Sequence, residues 1–504
     1  MTPALALAEI TVRFGATLAV DRVSLSVARG EVMALLGENG AGKTTLMNVL
    51  FGQYAAESGT VQVFGRPLPP GRPRAALDAG VGMVHQHFTL ADALTVAEAV
   101  TLGTRPLWSL RMDRRAARAR IETLARDYGL AVDPRARIAD LSVGERQRVE
   151  LLKALYRDAR ILILDEPTAV LTPQDGRALF ATLRRATDAG LAVILISHKL
   201  HEVLAVSDRI VVLRHGRVVG ERTPGRTDAA DLARLMVGHE IRPPAASPGM
   251  GGAVRLALDD VSTPPTAAPG PALKGVSLSL RSGRITGIAG VSGNGQAALS
   301  ALLEGMANPV RGTLRIGDAA ATAWSPRAAV AAGVGRIPED RHHTGTIPDF
   351  TVAENAVLGR HRDPPFARGP LVDRRAAKAH AEALIAENDV RGPGPDAPIR
   401  LLSGGNMQKL IVGRALHGGP GVIVANQPVR GLDVGAVTAL QRKLIAARDG
   451  GAAVLLISED LDEIMALSDV MHVMHAGRLS PPIPRAEADA ERLGLLMAGG
   501  RDAA

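Results

Sequence analysis

The sequence of 504 residues contains no cysteine, which excludes disulfide bonds and thiolate metal sites. It has no apolar run near the roughly 18 residues that a membrane-spanning helix needs, and its first residues lack the basic segment of a signal peptide. We therefore expect a chain that does not cross a bilayer itself and that stays in the cytoplasm. The net charge of +8 is too small to indicate a nucleic-acid partner.

An internal repeat organises the chain. GENGAGKTTL, from Gly37, reappears as GVSGNGQAAL, from Gly290, and LSVGERQRVELLKAL, from Leu141, reappears as LSGGNMQKLIVGRAL, from Leu402. The offset is 253 residues at the first motif and 261 at the second, so eight residues are inserted in the second copy. The repeat predicts two homologous domains, 1–242 and 253–504, joined by a Pro/Gly/Ala-rich linker at 243–252.

Short apolar strands alternate with helical patterns in each copy. Continuous apolar strands between helices indicate an α/β fold with a mainly parallel sheet covered on both faces. The stretch between Gln86 and Leu141 is purely helical in pattern and predicts a helical subdomain, whereas the Pro/Ala-rich stretch 262–272 is expected to be a surface loop without function. The strands predicted in the first copy are 31–36, 161–164, 191–196 and 209–213, and the helices include 44–50 and 174–187.

The first copy contains a phosphate-loop motif. Gly37 to Thr44 matches G-x-x-x-x-G-K-[ST] between a predicted strand and a predicted helix, which is the context that the motif requires. The glycines allow backbone N–H groups to point at phosphate oxygens, while Lys43 reaches the terminal phosphates and the Thr44 hydroxyl can bind Mg²⁺. Lysine is scarce, with seven in the chain, which argues against a chance match. The predicted nucleotide contacts here are Gly37, Asn39, Gly40, Gly42, Lys43, Thr44 and Thr45.

Three polar residues follow the ends of other predicted strands. Asp165 and Glu166 come after ILIL, and His198 comes after AVILIS. Open α/β sheets bind ligands at the carboxyl ends of their strands. Asp165 is therefore a candidate to hold Mg²⁺, which prefers hard oxygen donors. Glu166 is a candidate to orient and deprotonate an attacking water, and His198 to contact a γ-phosphate.

The chain resembles the ATP-binding cassette (ABC) ATPases in the order of its motifs, which are GENGAGKTT, MVHQHF, LSVGERQR, ILILDEPT and ISHK. The resemblance covers nearly the whole chain, once in each copy. The resemblance implies a RecA-like parallel sheet, an antiparallel subdomain and a helical subdomain in each copy. By this match Gln86 is the Q-loop glutamine and a metal ligand, Asp165 the Walker B aspartate, Glu166 the catalytic base and His198 the switch histidine. Phe14 stands where the family has an aromatic that stacks on adenine.

In that family two cassettes pair head to tail. Each ATP lies between the phosphate loop of one cassette and the LSGGQ-type signature of the other. The resemblance therefore implies that the two domains of this chain pair with each other. The first phosphate loop would face Ser403, Gly404 and Gly405, and the second would face Ser142 and Gly144, between which Val143 replaces a glycine.

The second copy has lost the groups that the chemistry needs. Gln296 and Ala297 stand in place of Lys43 and Thr44, and the amides Asn426 and Gln427 replace the two carboxylates of the first copy. Glu459 takes the place of His198 and would repel a γ-phosphate. We expect very slow hydrolysis or none at this site, although its backbone N–H groups can still hold nucleotide weakly. Its glycines are Gly290, Gly293 and Gly295.

A tandem cassette without membrane segments resembles the energising subunits of bacterial importers for sugars and nucleosides. RIPEDRHHTGTIPDFTVAENAVLG, ANQPVRGLDVGA and EPTAVLTP favour the nucleoside branch, which uses basic-membrane-protein-type lipoproteins. The resemblance implies ATP and Mg²⁺ as cofactors, and two integral-membrane permease subunits and an extracytoplasmic substrate-binding lipoprotein as partners. It places the chain at the cytoplasmic face of the membrane, with coupling surfaces at 86–96 and 339–352.

Two alternatives stay open. One is the ATPase of a ribose- or galactose-type sugar importer. The other is a soluble tandem cassette that acts on ribosomes, against which the degraded second site and the short linker argue.

Overall fold

The computed structural model of the protein describes residues 2–15, 17–85, 89–104, 114–168, 171, 173–197, 199–238, 249, 251–266, 268, 270–497 and 499. The chain divides into two compact units, residues 1–241 and 242–504. Most of the linker predicted at 243–252 lies outside the described residues.

The first unit contains two sheets. Its strands are β1 (Leu5–Phe14), β2 (Thr17–Val27), β3 (Val32–Leu36), β4 (Ser58–Val63), β5 (Arg66–Pro67), β6 (Val81–Val84), β7 (Ile161–Asp165), β8 (Ala192–Ile196), β9 (Arg209–Arg214) and β10 (Arg217–Arg222). One sheet has the order β2-β1-β4-β5 and is antiparallel. The other has the order β10-β9-β3-β8-β7-β6 and is parallel except at β10.

The helices of the first unit are α1 (Lys43–Leu50), α2 (Pro73–Asp78), α3 (Val96–Thr101), α4 (Arg114–Tyr128), α5 (Val143–Tyr156), α6 (Pro173–Asp188), α7 (Leu200–Val206) and α8 (Ala229–Val237). Capping boxes begin two of them, with Thr95 and Glu98 at α3 and Ser142 and Glu145 at α5. The strands and helices that the sequence predicted here all occur, with ends displaced by at most one residue.

The second unit repeats this plan. Its strands are β11 (Val254–Ser262), β12 (Val276–Arg281), β13 (Arg284–Ala289), β14 (Arg311–Ile316), β15 (Ala319–Ala320), β16 (Val334–Ile337), β17 (Ala367–Arg368), β18 (Leu371–Val372), β19 (Val422–Asn426), β20 (Ala453–Ser458), β21 (Val470–His475), β22 (Arg478–Leu479) and β23 (Ile483–Pro484). The antiparallel order is β12-β11-β14-β15, and the mainly parallel order is β16-β19-β20-β13-β21-β22.

The helices of the second unit are α9 (Gln296–Leu303), α10 (Pro326–Ala331), α11 (Val352–Ala356), α12 (Arg374–Glu387), α13 (Gly404–Leu416), α14 (Val434–Asp449), α15 (Leu461–Leu467) and α16 (Ala490–Met497). The short hairpin β17–β18 lies between α11 and α12, so the helical region of this unit is not entirely helical. It falls within the stretch 339–401, where the repeat offset changes.

The cores explain why the strands are nearly continuous runs of valine, isoleucine and leucine. All five residues of β3, VMALL, are buried, and so are the first four of β7. Strands of a parallel sheet that is covered on both faces must be apolar at every position. The α/β architecture with an antiparallel sheet and a helical region in each unit, as predicted, is therefore confirmed.

Candidate active site

The loop between β3 and α1 requires glycine for steric reasons. Gly42 caps α1 with a φ of 100°, and a Cβ there would lie 2.5 Å from the carbonyl oxygen of Ala19. A Cβ at Gly37 would collide with the carbonyl oxygen of Leu213 on β9. The loop is thus held against two neighbouring strands by backbone contacts that only glycine allows.

Lys43 lies across this loop. Its Nζ donates hydrogen bonds to the carbonyl oxygens of Gly37 at 2.7 Å and Glu38 at 3.0 Å. Thr44 follows in the first turn of α1 and is exposed, and Thr45 is half-buried. The ammonium and the hydroxyl therefore lie at the same end of α1, where backbone N–H groups favour anions.

Asp165 and Glu166 follow the neighbouring parallel strand. Burial raises the pKa of Asp165, and the adjacent Glu166 carboxylate raises it further, whereas Lys43 and His85 lower it. Glu166 has a φ of 48°, and its N–H donates to the carbonyl oxygen of Ile196 at 2.9 Å. A glutamate in the left-handed region has a strained backbone, and residues with such strain are common at functional sites. The structure thus brings Asp165, Glu166 and Lys43 together.

Two other predicted residues, Gln86 and His198, lie outside the described residues. Sequence reasoning missed His85, whose charge acts on Asp165. Its position directly after β6 is the signal that could have identified it, since β6 is the parallel neighbour of β7.

Phe14 ends β1 and exposes 49% of its surface. Its ring lies edge-on to Tyr54, with the ring centroids 5.5 Å apart. Gln53 and Ala55 line the same cleft. An exposed ring beside such a cleft can stack on a flat ligand. Tyr54 is a second aromatic here that the sequence motifs did not indicate.

The corresponding strand end of the second unit has the same backbone but different chemistry. Asn426 ends β19 and is buried, and Gln427 has a φ of 48°, equal to that of Glu166. The N–H of Gln427 donates to Ile457 O at 2.8 Å, and its Oε1 accepts from the N–H of Glu459 at 3.4 Å. Neither amide can act as a general base.

The two signature segments begin helices with different caps. In the first unit, the Ser142 hydroxyl donates to the Glu145 carboxylate at 2.7 Å. The carboxylate of Asp175 also lies close, because a Cβ added at Gly144 would be 2.8 Å from its Oδ1. Two carboxylates therefore lie at the signature of the first unit, and the Arg148 guanidinium, 4.0 Å from Asp175, offsets part of their charge.

In the second unit, Ser403 Oγ accepts a hydrogen bond from Asn406 Nδ2 at 2.9 Å, so no carboxylate occupies this cap. The Arg341 guanidinium lies against Gly404, where an added Cβ would be 3.2 Å from its Cζ. Gly405, the next residue, is half-buried and has open space at its Cβ position. This signature is therefore next to a positive charge, the opposite of the one in the first unit.

Comparison with known proteins agrees with this geometry. The sequence model of the ABC transporter family matches residues 20–169 and 273–430, one segment in each unit. The chain belongs to the ABC transporter family. The two matched segments of this ABC ATPase contain its phosphate loops, signatures and Walker B strands.

Three curated relatives are each 42% identical to this ABC ATPase. The glucose import ATP-binding protein TsgD13 of Haloferax volcanii aligns over 99% of this chain and 96% of its own. The nucleoside import ATP-binding protein NupA of Lactococcus lactis aligns over 98% and 97%. The guanosine import ATP-binding protein NupO of Bacillus subtilis aligns over 96% and 95%.

Proposed function

We propose that this ABC ATPase energises the import of nucleosides and hydrolyses ATP at the phosphate loop of its first unit. The observation that carries the proposal is the contrast between the units. Lys43, Asp165 and Glu166 lie together in the first unit, whereas the second has amides at its strand end. Similarity to NupA and NupO over nearly the whole chain supports a nucleoside as the transported substrate.

The residues of the first unit fit Mg²⁺ bound together with ATP. Thr44 offers a hydroxyl and Asp165 a carboxylate, and hard oxygen donors of this kind suit the ion while it keeps water and phosphate ligands. Gln86 is proposed as a further ligand. When bound, Mg²⁺ supplies positive charge against the charge that develops on the phosphate oxygens.

Glu166 is proposed to orient and deprotonate the attacking water. Its backbone hydrogen bond to Ile196 fixes the main chain that presents the carboxylate at the strand end. Lys43 binds the terminal phosphates, and His198 is proposed to contact the γ-phosphate. Phe14 holds adenine on its exposed face.

The signature of the second unit is proposed to complete the site around ATP on the first phosphate loop. Support comes from charge, because Arg341 lies against Gly404 while carboxylates surround Ser142 and Gly144. A triphosphate carries several negative charges, so the positively charged signature is the better partner. This arrangement makes one hydrolysis-competent site in each chain.

The proposed partners are two membrane permeases and an extracytoplasmic substrate-binding lipoprotein, with the chain at the cytoplasmic face of the membrane. Among the described residues, no helix is long and apolar enough to cross a bilayer. The segment after the second Q-loop position carries the exposed apolar side chains Ile347 and Phe350, and exposed Leu401 follows Arg400, whose N–H donates to Pro348 O at 3.3 Å. We name these three the apolar coupling patch, and such patches mark interaction sites.

Hydrogen bonds connect these segments to the signature helices. In the first unit, the N–H of Thr89 donates to Glu150 Oε1 of α5 at 2.7 Å, and Lys153 Nζ donates to Thr89 Oγ1 at 3.1 Å. In the second unit, Arg414 of α13 donates to the carbonyl oxygen of Gly345 at 2.7 Å. A movement of a bound permease can thus reach each signature through a short, direct connection.

The cysteine-free chain makes the proposed docking surface testable. A single cysteine at Phe350 should crosslink to a permease in membranes, because its side chain is 43% exposed within the apolar coupling patch. A cysteine at Leu495, which is 59% exposed on α16, is the matched control and should not crosslink. Equal crosslinking at both positions, or none at Phe350, would reject the docking surface.

A glucose importer is the second candidate, favoured by the similarity to TsgD13. Uptake of labelled guanosine, uridine, glucose and ribose should be measured in a deletion strain that carries either the wild-type chain or Glu166→Gln. We expect nucleoside uptake with the wild type only. Restoration of glucose or ribose uptake without nucleoside uptake would replace the nucleoside assignment with a sugar.

A further inference from the structure

We propose that Tyr54 is a positioning residue of the ATP site, because it holds the Phe14 ring in the orientation that stacks on the base. The two rings lie edge to face, with their centroids 5.5 Å apart and their planes at 77°. Both are exposed, Phe14 at 49% and Tyr54 at 41%, and both line the same cleft. This role rests on the proposed function, in which the first unit binds ATP and Phe14 holds its adenine.

The two rings belong to different elements that meet at the end of β1. Phe14 is the last residue of β1, and Tyr54 follows the end of α1. The N–H of Glu57 donates to the carbonyl oxygen of Thr11 at 2.8 Å, which aligns the two segments. The Arg13 guanidinium lies 3.5 Å from the Glu57 carboxylate, although such an exposed ion pair adds little stability. The segment that connects α1 to β4 therefore forms one wall of the cleft.

The turn after α1 fixes the position of Tyr54. The N–H groups of Gln53 and Tyr54 both donate to the carbonyl oxygen of Asn48, at 2.8 and 3.2 Å. Gly52 has a φ of 77°, and a Cβ there would lie 2.7 Å from the carbonyl carbon of Arg72. The helix that begins at the phosphate-loop lysine thus ends in a tight turn, and this turn places Tyr54 at the cleft.

The cleft lies close to the phosphate loop, so that one nucleotide can contact both. Phe14 pairs with Thr17 across the β1–β2 turn. Two residues later on β2, the carbonyl oxygen of Ala19 lies 2.5 Å from the position of a Cβ at Gly42. The strand pair that carries the Phe14 ring is therefore in contact with the loop that would bind the phosphates.

An exposed ring at a strand end needs a neighbour to keep one orientation. The residue after Phe14 is Gly15, which has a φ of 56° and open space at its Cβ position. Edge-to-face aromatic pairs are favourable beyond the area that they bury, so the contact with Tyr54 restricts the plane of the Phe14 ring. A ring that already has its binding orientation loses less conformational entropy when a base stacks on it.

The second unit keeps the same turn without either ring. The N–H groups of Met306 and Ala307 both donate to the carbonyl oxygen of Ala301, as in the turn after α1. Ala307 is aligned with Tyr54, and the pairing of β11 with β14 puts Pro265 at the position of the stacking ring. Because this turn forms with alanine, its backbone does not require a tyrosine. The tyrosine of the first unit is therefore better explained by ligand binding.

Nucleotide affinity at the first phosphate loop tests the proposal on the full chain. Asn39 is an exposed residue of this loop, so Asn39→Cys carries the only cysteine of the chain, and a bound ligand should slow its reaction with a maleimide. The MgADP concentration for half-maximal protection should rise about tenfold in Phe14→Ala and about fivefold in Tyr54→Ala. Tyr54→Phe keeps the ring and should stay within about twofold of the parent Asn39→Cys chain.

Two comparisons separate a positioning role from a structural one. Pyrophosphate has no base, so it should protect the parent and all of these variants equally. The double variant Phe14→Ala/Tyr54→Ala should bind MgADP no more weakly than Phe14→Ala alone, because Tyr54 acts through Phe14. Additive losses in the double variant, or an equal loss of pyrophosphate affinity in Tyr54→Ala, would overturn the positioning role.

Met306→Ala is the matched control, because it shortens a side chain that is 62% exposed in the equivalent turn of the second unit. It should leave protection by MgADP unchanged. Protection of the parent by both ligands, with unchanged MgADP affinity in Tyr54→Ala, would overturn the positioning role alone. Protection of the parent by neither ligand would overturn the proposed function, and the positioning role with it.

Discussion

Glu166 and Gln427 share one strained backbone conformation, with a φ of 48° at each, and each N–H bonds to the neighbouring parallel strand. The second unit has kept the backbone that presents a catalytic carboxylate although it has no carboxylate there. The peptide geometry at this strand end is therefore set by the sheet, and the chemistry is decided by the side chain alone.

Restoring the carboxylate of the second unit should not restore activity. Glu166→Gln should lower phosphate release by the assembled transporter about 100-fold or more, the usual contribution of a general base. Gln427→Glu should leave the rate unchanged in the wild type and in Glu166→Gln, because the neighbouring phosphate loop has Gln296 and Ala297 in place of a lysine and a threonine. A second fast phase in Gln427→Glu would contradict the single-site assignment.

The two signatures should differ in their response to the same change. Ser403→Arg should reduce ATP turnover nearly as far as Glu166→Gln, since it fills the proposed γ-phosphate contact. Ser142→Arg is the matched control at the aligned helix cap and should retain most turnover. Steady-state ATPase rates of the two variants in the assembled transporter measure the difference, and equal losses would count against the asymmetry.

Gly42 should be intolerant of a methyl group. Gly42→Ala places a Cβ 2.5 Å from Ala19 O at a φ of 100°, and should weaken ATP binding about tenfold or more. Gly176 lies in α6, and in Gly176→Ala the added Cβ would contact only the Thr168 methyl, 3.7 Å away. That control should leave affinity unchanged and raise the free energy of unfolding by about 0.5–1 kcal/mol. Titration calorimetry and urea unfolding report the two quantities.

Glu463 should make the second unit less stable as pH rises. Burial raises the pKa of Glu463 from 4.5 to about 8, and its Oε2 accepts a hydrogen bond from Ser458 at 2.6 Å. The unfolded chain loses this proton at lower pH than the native chain does. The free energy of unfolding should therefore fall by up to about 1.4 kcal/mol per pH unit between pH 4.5 and about 8. Glu463→Gln should abolish this loss.

Trp324 is a buried reporter of the second unit, and Trp108→Phe leaves it as the only tryptophan. Its fluorescence during urea unfolding at several pH values measures the effect. Glu202 is the aligned control, because Lys199 lies 3.3 Å from its carboxylate and Thr168 donates to it. A Glu202→Gln variant should leave the pH dependence of the Trp324 unfolding signal unchanged, because Glu202 belongs to the first unit. Identical pH profiles for wild type and Glu463→Gln would show that the Glu463 carboxyl does not keep its proton in the native chain.

Some features depended on local pattern and could be predicted. Val32–Leu36 and Ile161–Asp165 are apolar at nearly every position because both faces of a parallel sheet are covered. Gly37, Lys43 and Thr44 form a motif whose spacing alone predicts backbone donors and an ammonium around one ligand. The repeat extended this reasoning to the second copy, where the missing lysine and carboxylates could be noted without coordinates.

The sequence by itself determined two α/β units of the ABC family, one with a phosphate-loop lysine and strand-end carboxylates and one without them, because short motifs and apolar runs carry that information locally. Only the tertiary structure decided what replaces the lost chemistry. Gln296 forms hydrogen bonds across its own loop. Gly270 lies close to Gly293, although it belongs to the stretch 262–272 that composition predicts to be a surface loop without function. Such contacts depend on side-chain direction and on chain segments that meet only after folding, and no spacing rule contains either.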